Sequence, residues 1–159
     1  VLVVPEEALV MTATDDGAAS EAVAAVETAI THFAGGGMVL VVDDLDRENE
    51  GDLIGAAEKI TRKQVAFMVQ HCTGIVCVAL APDLCDNLAL PPMVEQNEDY
   101  MGTNFCVTCD AKGTTTGVSA ADRCATIRAL GTTGLGCHFA RPFSVPIMIP
   151  HINENGVRK

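Results

Sequence analysis

The amino-acid sequence predicts an α/β (α+β) layered sandwich, a mixed sheet flanked by helices. Short apolar runs rich in β-branched residues, Met38–Val42 and Ile75–Leu80, alternate with longer segments whose apolar residues recur at helical spacing. No internal repeat and no low-complexity linker interrupts that order. Residues 18–159 therefore read as one domain, preceded by an irregular extension over residues 1–17. An apolar fraction of 48% against 19% charged residues is that of a chain that buries a core.

The elements follow in order. Ala18–Ala34 reads as a helix, with Val23, Val26, Ile30 and Phe33 as its apolar face, Asp16 or Ser20 as its cap, and Gly35-Gly36-Gly37 ending it. Met38–Val42 is a continuous apolar run, the pattern of a buried strand, and it opens into an acidic stretch from Asp43 to Asp52. A second apolar run, Leu53–Ala57, comes next. Thr61 caps a helix ending at His71, whose inner face is Val65, Met68 and Val69. After a break at Gly74, Ile75–Leu80 reads as another buried strand and Pro82–Leu88 as a short helix. Leu90-Pro91-Pro92-Met93 is rigid extended chain. Asn104–Cys109 reads as a strand. Lys112–Gly117 is a polar turn leading into a helix capped by Ser119, with Asp122 three residues on as a weaker variant of the capping box; this helix runs to about Leu130. Gly131–Gly136 is a loop. Beyond Pro142 the pattern assigns no element: Phe143–Pro150 is apolar with two prolines, and His151–Lys159 is polar.

Composition excludes some partners. A formal net charge of −11 argues against nucleic acid, because neutralising phosphates needs an excess of Lys and Arg. It also argues against anionic membrane surfaces, and no apolar run is long enough to span a bilayer. It suits a divalent cation. The seven cysteines follow no disulfide framework, and most read as buried thiols of an intracellular, reducing compartment; an organelle such as a plastid or mitochondrion is compatible with this. Cys106 and Cys109 form a C-x-x-C, but in a strand-like run their side chains tend to opposite faces, and no second pair completes a zinc site.

Three segments carry candidate chemistry. The first is Asp43–Asp52, six carboxylates and one Arg directly after a buried strand. Like charges this dense require solvent or a cation, and oxygen ligands of this kind suit Mg²⁺; on spacing alone, a solvated acidic turn is the commoner outcome. The order of residues is not that of an EF-hand. The second is Gly113-Thr114-Thr115-Thr116-Gly117, running into the Ser119 helix. Its amides and hydroxyls suit an anion or sugar hydroxyls, or it is simply a well-made junction. The third is the pair His71 and Cys77, on either side of Gly74, where packing is the plainer account of Cys77.

Taken together, these segments resemble a known family. Asp46-Arg47-Glu48-Asn49-Glu50-Gly51-Asp52 looks like the acidic-loop signature of 3,4-dihydroxy-2-butanone-4-phosphate synthase. The similarity continues through His71–Cys77, Leu90-Pro91-Pro92-Met93-Val94, Gly102-Thr103, Thr115–Arg123 and Arg141-Pro142, covering about Ala18 to Pro142. The resemblance implies an Mg²⁺- or Mn²⁺-dependent carbon–carbon lyase of riboflavin biosynthesis. It would convert ribulose 5-phosphate into 3,4-dihydroxy-2-butanone 4-phosphate and formate, acting as a homodimer or as a subunit of a larger complex. Proton abstraction beside a ketone, dehydration, a skeletal shift and loss of one carbon all develop negative charge on oxygen, which a divalent metal stabilises and carboxylates help to move as protons. By that resemblance Glu48 is a metal ligand that also faces the substrate. Arg47, Asp52, Thr115 and Thr116 contact the substrate, and Glu50, Asp52 and Cys77 are the catalytic candidates.

The sequence also departs from the family. There, Arg-Pro is followed by Gly-His; here Arg141-Pro142 is followed by Phe143-Ser144. Asn155-Gly156-Val157 resembles the family's Gly-Gly-Val turn, but the Gly-His-Thr-Glu motif beyond it, whose His is the second metal ligand, is not reached by Lys159, and neither His138 nor His151 aligns with it. The fold expected on this reading is the family's, without its C-terminal part. Three functions are consistent with it: the lyase itself, a catalytically inactive paralogue serving as a structural subunit, or a module that binds metal or sugar phosphate without turnover.

Overall fold

The computed structural model describes residues 8–10, 19–42, 50–132 and 143–146. Its elements are β1 (Ala8–Val10), α1 (Ala19–Ala34), β2 (Met38–Val42), β3 (Gly51–Gly55), α2 (Arg62–His71), β4 (Cys77–Leu80), α3 (Pro82–Asn87), α4 (Ala120–Gly131) and β5 (Phe143–Pro146). The fold class is α/β, as expected, with parallel and antiparallel pairing in the same sheet. That sheet has the order β1-β2-β3, β1 parallel and β3 antiparallel to β2, while β4 and β5 form a separate antiparallel pair.

Two strands lie where the sequence pattern assigned none. β1 falls within the stretch read as an irregular extension, and pairs Ala8 with Met38. A three-residue strand is too short for periodicity to reveal. β5 occupies Phe143–Pro146, where the pattern faded, and sets Pro146 opposite Cys77 and Phe143 opposite Leu80. In the other direction, Asn104–Cys109 is no continuous strand: an isolated bridge joins Cys106 to Pro92, flanked by Met93 N–H donating to Phe105 O at 2.8 Å and Val107 N–H to Pro91 O at 3.0 Å. Pro91 and Pro92 lack the N–H groups that a longer ladder needs.

The helices start and stop for local reasons. α1 ends at the three glycines: Gly36, at φ 93°, donates to Phe33 O, and Gly37 donates to His32 O, both at 2.9 Å, a Schellman closure. Ser20 lies inside α1 rather than capping it, and Asp16 falls outside the described residues. α2 opens on a full capping box. Thr61 Oγ1 accepts from Gln64 N–H, and Gln64 Oε1 accepts from Thr61 N–H at 2.8 Å. Gln64 is itself buried, and its side-chain amide donates to Gly36 O at 2.8 Å, fastening α2 to the end of α1. α4 is capped by Ser119, which accepts from Asp122 N–H at 3.0 Å.

The core gathers Ile60, Val65, Val78, Leu80, Leu84, Cys85, Cys106, Cys124, Ile127 and Leu130 between α2, α3, α4 and β4. Cys106 is fully buried in it and Cys109 packs against it, so the two cysteines share a neighbourhood instead of facing apart; outside a regular strand, strict alternation does not apply. All six described cysteines are free thiols. The strands expected to be buried throughout are so only in part. β2 buries Met38 and Val39 but exposes Val41 and Val42, and β4 buries Val78 and Leu80 while Ala79 faces out. Ile75 lies before β4 and is exposed, and Val69 of the expected inner face of α2 is exposed as well. On α1, Val23, Val26 and Ile30 are 58%, 57% and 61% exposed, so its apolar face is uncovered by the described residues. No helix of the described residues is long and apolar enough to cross a membrane.

Candidate active site

Strands β2 and β3 pair from Met38–Gly55 up to Val42–Gly51, so the acidic stretch is the connection between two antiparallel strands. Of the residues singled out there, Arg47 and Glu48 lie outside the described residues. Glu50 directly precedes β3 and is exposed; Asp52 stands on β3 opposite Val41 and is also exposed. Carboxylates at the open end of a strand pair keep the hydration that a dense acidic group requires and remain reachable by a cation or substrate.

Cys77 opens β4 and is half-buried. Burial, reinforced by the negative charge of Asp52, pushes its thiol up to about 11. The charge of Asp52, on β3, thus reaches Cys77 at the start of β4, and Pro146 of β5 is paired with Cys77. At neutral pH this thiol keeps its proton, so it can donate a hydrogen bond or a proton but is a poor nucleophile. His71 is exposed, and its ring lies 4.5 Å from that of Phe67, tilted by 37°. That is packing within the last turns of α2, and it places the imidazole on the helix surface.

Thr115 and Thr116 are exposed on the turn before α4. Sequence reasoning found the turn but missed what holds it. The Asp122 carboxylate, 9% exposed, accepts from the Thr115 amide at 3.2 Å and from its hydroxyl at 2.6 Å. The Thr115 hydroxyl foremost, with the Thr115, Ser119 and Gly117 groups, outweighs burial and holds this carboxyl below the usual range. Asp122 therefore does not close a capping box on Ser119; its side chain reaches backward into the turn. Thr126, 1% exposed, continues this polar face, accepting from Ala111 N–H at 3.0 Å and donating to Asp122 O at 3.1 Å. The spacing of Ser119, Asp122 and Thr126 along one helix face was the signal available in the sequence. Among the described residues no hydrogen bond joins this turn to Asp52 or Cys77, and no three metal-ligating side chains cluster.

The family model for 3,4-dihydroxy-2-butanone 4-phosphate synthase matches residues 27–159. The chain belongs to that family. The match extends through residues 143–159, beyond Pro142, where the resemblance in sequence was expected to end. The riboflavin biosynthesis protein RibBA of Rhodococcus erythropolis is 53% identical over 119 residues, which cover 74% of this chain and 28% of that protein. The 3,4-dihydroxy-2-butanone 4-phosphate synthase of Shewanella loihica is 54% identical over 110 residues, 69% of this chain and 51% of that one. A solved 3,4-dihydroxy-2-butanone 4-phosphate synthase, in complex with two magnesium ions, superposes with a TM-score of 0.65 at 40% identity, covering 77% of this chain and 56% of that one. The chain thus spans about half or less of the length of these two curated relatives. Nothing in these comparisons supports the inactive-paralogue alternative.

Proposed function

We propose that the protein is a 3,4-dihydroxy-2-butanone 4-phosphate synthase of riboflavin biosynthesis, releasing formate from ribulose 5-phosphate. The family match over residues 27–159 carries this reading. The electrostatic influence of Asp52 on Cys77 supports it, because both are site residues by resemblance and stand on separate elements.

The donor set fits a hard divalent cation: exposed carboxylate oxygens with room for water, as Mg²⁺ prefers. Glu48 would hold it, and when bound the metal stabilises negative oxygen developing beside the substrate ketone. The chain's own residues do the remainder. Arg47 orients the sugar phosphate. Glu50 and Asp52 accept and return protons at substrate carbon and hydroxyl oxygen, while Cys77, holding its proton, donates toward a leaving or developing oxygen. Thr115 and Thr116 contact substrate hydroxyls. Assembly as a homodimer or within a larger complex belongs to the same reading, and the uncovered apolar face of α1 favours it.

The deciding experiment is formate release from ribulose 5-phosphate by the purified protein, with Mg²⁺ and with EDTA. Metal-dependent formate is the expected result. Its absence, where a working synthase is active in parallel, overturns the assignment.

A further inference from the structure

The threonine turn could meet a ligand through amides that hold an anion or through hydroxyls that meet sugar hydroxyls. The chain itself has taken the first role. The Thr115 amide donates to the Asp122 carboxylate, an internal anion seated where an external one would bind. A second carboxylate stands close by. Gly117 has φ 74°, and a Cβ there would run into the Asp110 carboxylate. Two negative groups behind the turn repel a phosphate. They also decide the polarity of Thr115. Its hydroxyl has a single proton, and the 2.6 Å bond commits that proton to Asp122 Oδ2, so the oxygen presents only lone pairs to solvent.

We propose that Asp122 is a positioning and specificity residue of the threonine turn: it fills the turn's anion site and fixes Thr115 as a hydrogen-bond acceptor, so that the turn takes a hydroxyl of the sugar phosphate and excludes its phosphate. This rests on Thr115 being a substrate contact, as proposed above. Asp122 touches no substrate; it acts through Thr115, and α4 fixes it there through Ser119 and Thr126.

Asp122→Asn tests this in the full chain. An amide in place of the carboxylate puts an NH₂ where Oδ2 accepts, so it donates to the Thr115 hydroxyl, while its remaining oxygen still accepts from the Thr115 amide but carries no negative charge. The expected result is a rise of about ten-fold in KM for ribulose 5-phosphate with kcat little changed, in a variant whose circular dichroism at assay temperature matches the parent. In ¹H–¹⁵N spectra, inorganic phosphate should leave the Thr115 amide of the parent unmoved and shift it in the variant. An unchanged KM, or a parent Thr115 amide that responds to phosphate, overturns the proposal. If Asp122→Asn does not fold, Thr115→Val and Thr115→Ser carry the test: the valine should reproduce the ten-fold loss and the serine should restore KM to within about two-fold, whereas equal KM for both overturns it. The phosphate titration needs no turnover. A parent that neither binds nor converts ribulose 5-phosphate sinks the synthase reading, and the Thr115 amide still decides the role of Asp122.

Discussion

Cys77, half-buried at the start of β4, shows how a thiol can be held protonated by its surroundings. Its thiol is pushed up to about 11 by burial first and by Asp52 second. Alkylation of Cys77 by iodoacetamide, followed by peptide mass spectrometry, should therefore rise with pH well beyond the ordinary thiol value of about 8.5. Asp52→Asn should shift that profile to lower pH, and a profile unchanged by the substitution would show that Asp52 does not act on the thiol. The two carboxylates of the threonine turn make opposite contributions. Asp122 has a lowered folded value, so it adds stability above its unfolded value of about 4 and loses it as pH falls through the folded one. Asp110 is raised, by burial and then by the charge of Asp122, so its ionised form detracts from stability once pH climbs above about 4. At pH 7 Asp122→Asn should lower Tm and Asp110→Asn should raise it; at pH 3 both differences should shrink. Equal shifts at the two pH values would rule out charge as the cause.

Elements were legible in the sequence where their signals were local. Thr61 and Ser119 announced the starts of α2 and α4 because capping uses residues within one turn of each other. The inner face of α2 was less legible: Val65 and Met68 point inward, but Val69 does not, and the second fully inward residue is Gln64, whose amide meets Gly36 O far back in the chain. No periodicity of apolar residues marks a buried glutamine. Thr61→Ala should cost about 1 kcal/mol through the lost cap. Gln64→Ala should cost more, about 2 kcal/mol, because it also leaves Gly36 O without its donor. Urea denaturation of both variants checks the order, and a reversed order would mean that the capping box, not the α1–α2 tie, dominates. β5 was illegible for a related reason. Phe143–Pro146 is only four residues long with prolines at positions 142 and 146, too short a stretch for its alternation to assign a strand, and it pairs with the edge that β4 offers. The acidic stretch was visible by composition alone, yet its influence on Cys77 was not, since that depends on how β3 and β4 come to lie.

At the scale of the whole molecule, the layered class was readable because apolar runs and amphipathic segments alternate along the chain. What covers the outer faces was not readable. Val23, Val26 and Ile30 form a proper apolar stripe on α1, and the described residues leave it bare. If the protein assembles through that stripe, Val26→Asp should convert the sedimenting species to a lighter one while circular dichroism is unchanged. A parent that already sediments as a single chain would remove the homodimer from the proposal.

The pairing of β4 with β5 also sets a schedule for the newborn chain. Cys77–Leu80 leaves the ribosome long before Phe143–Pro146, and at ~5–20 residues per second the interval lasts several seconds. During that time β4 has a bare edge, with Cys77 at its start and no partner strand to shield it. The site's neighbourhood is thus completed only when a late segment arrives. A ribosome stalled before residue 143 should hold a chain whose helices are formed but whose β4 edge is open to chaperones.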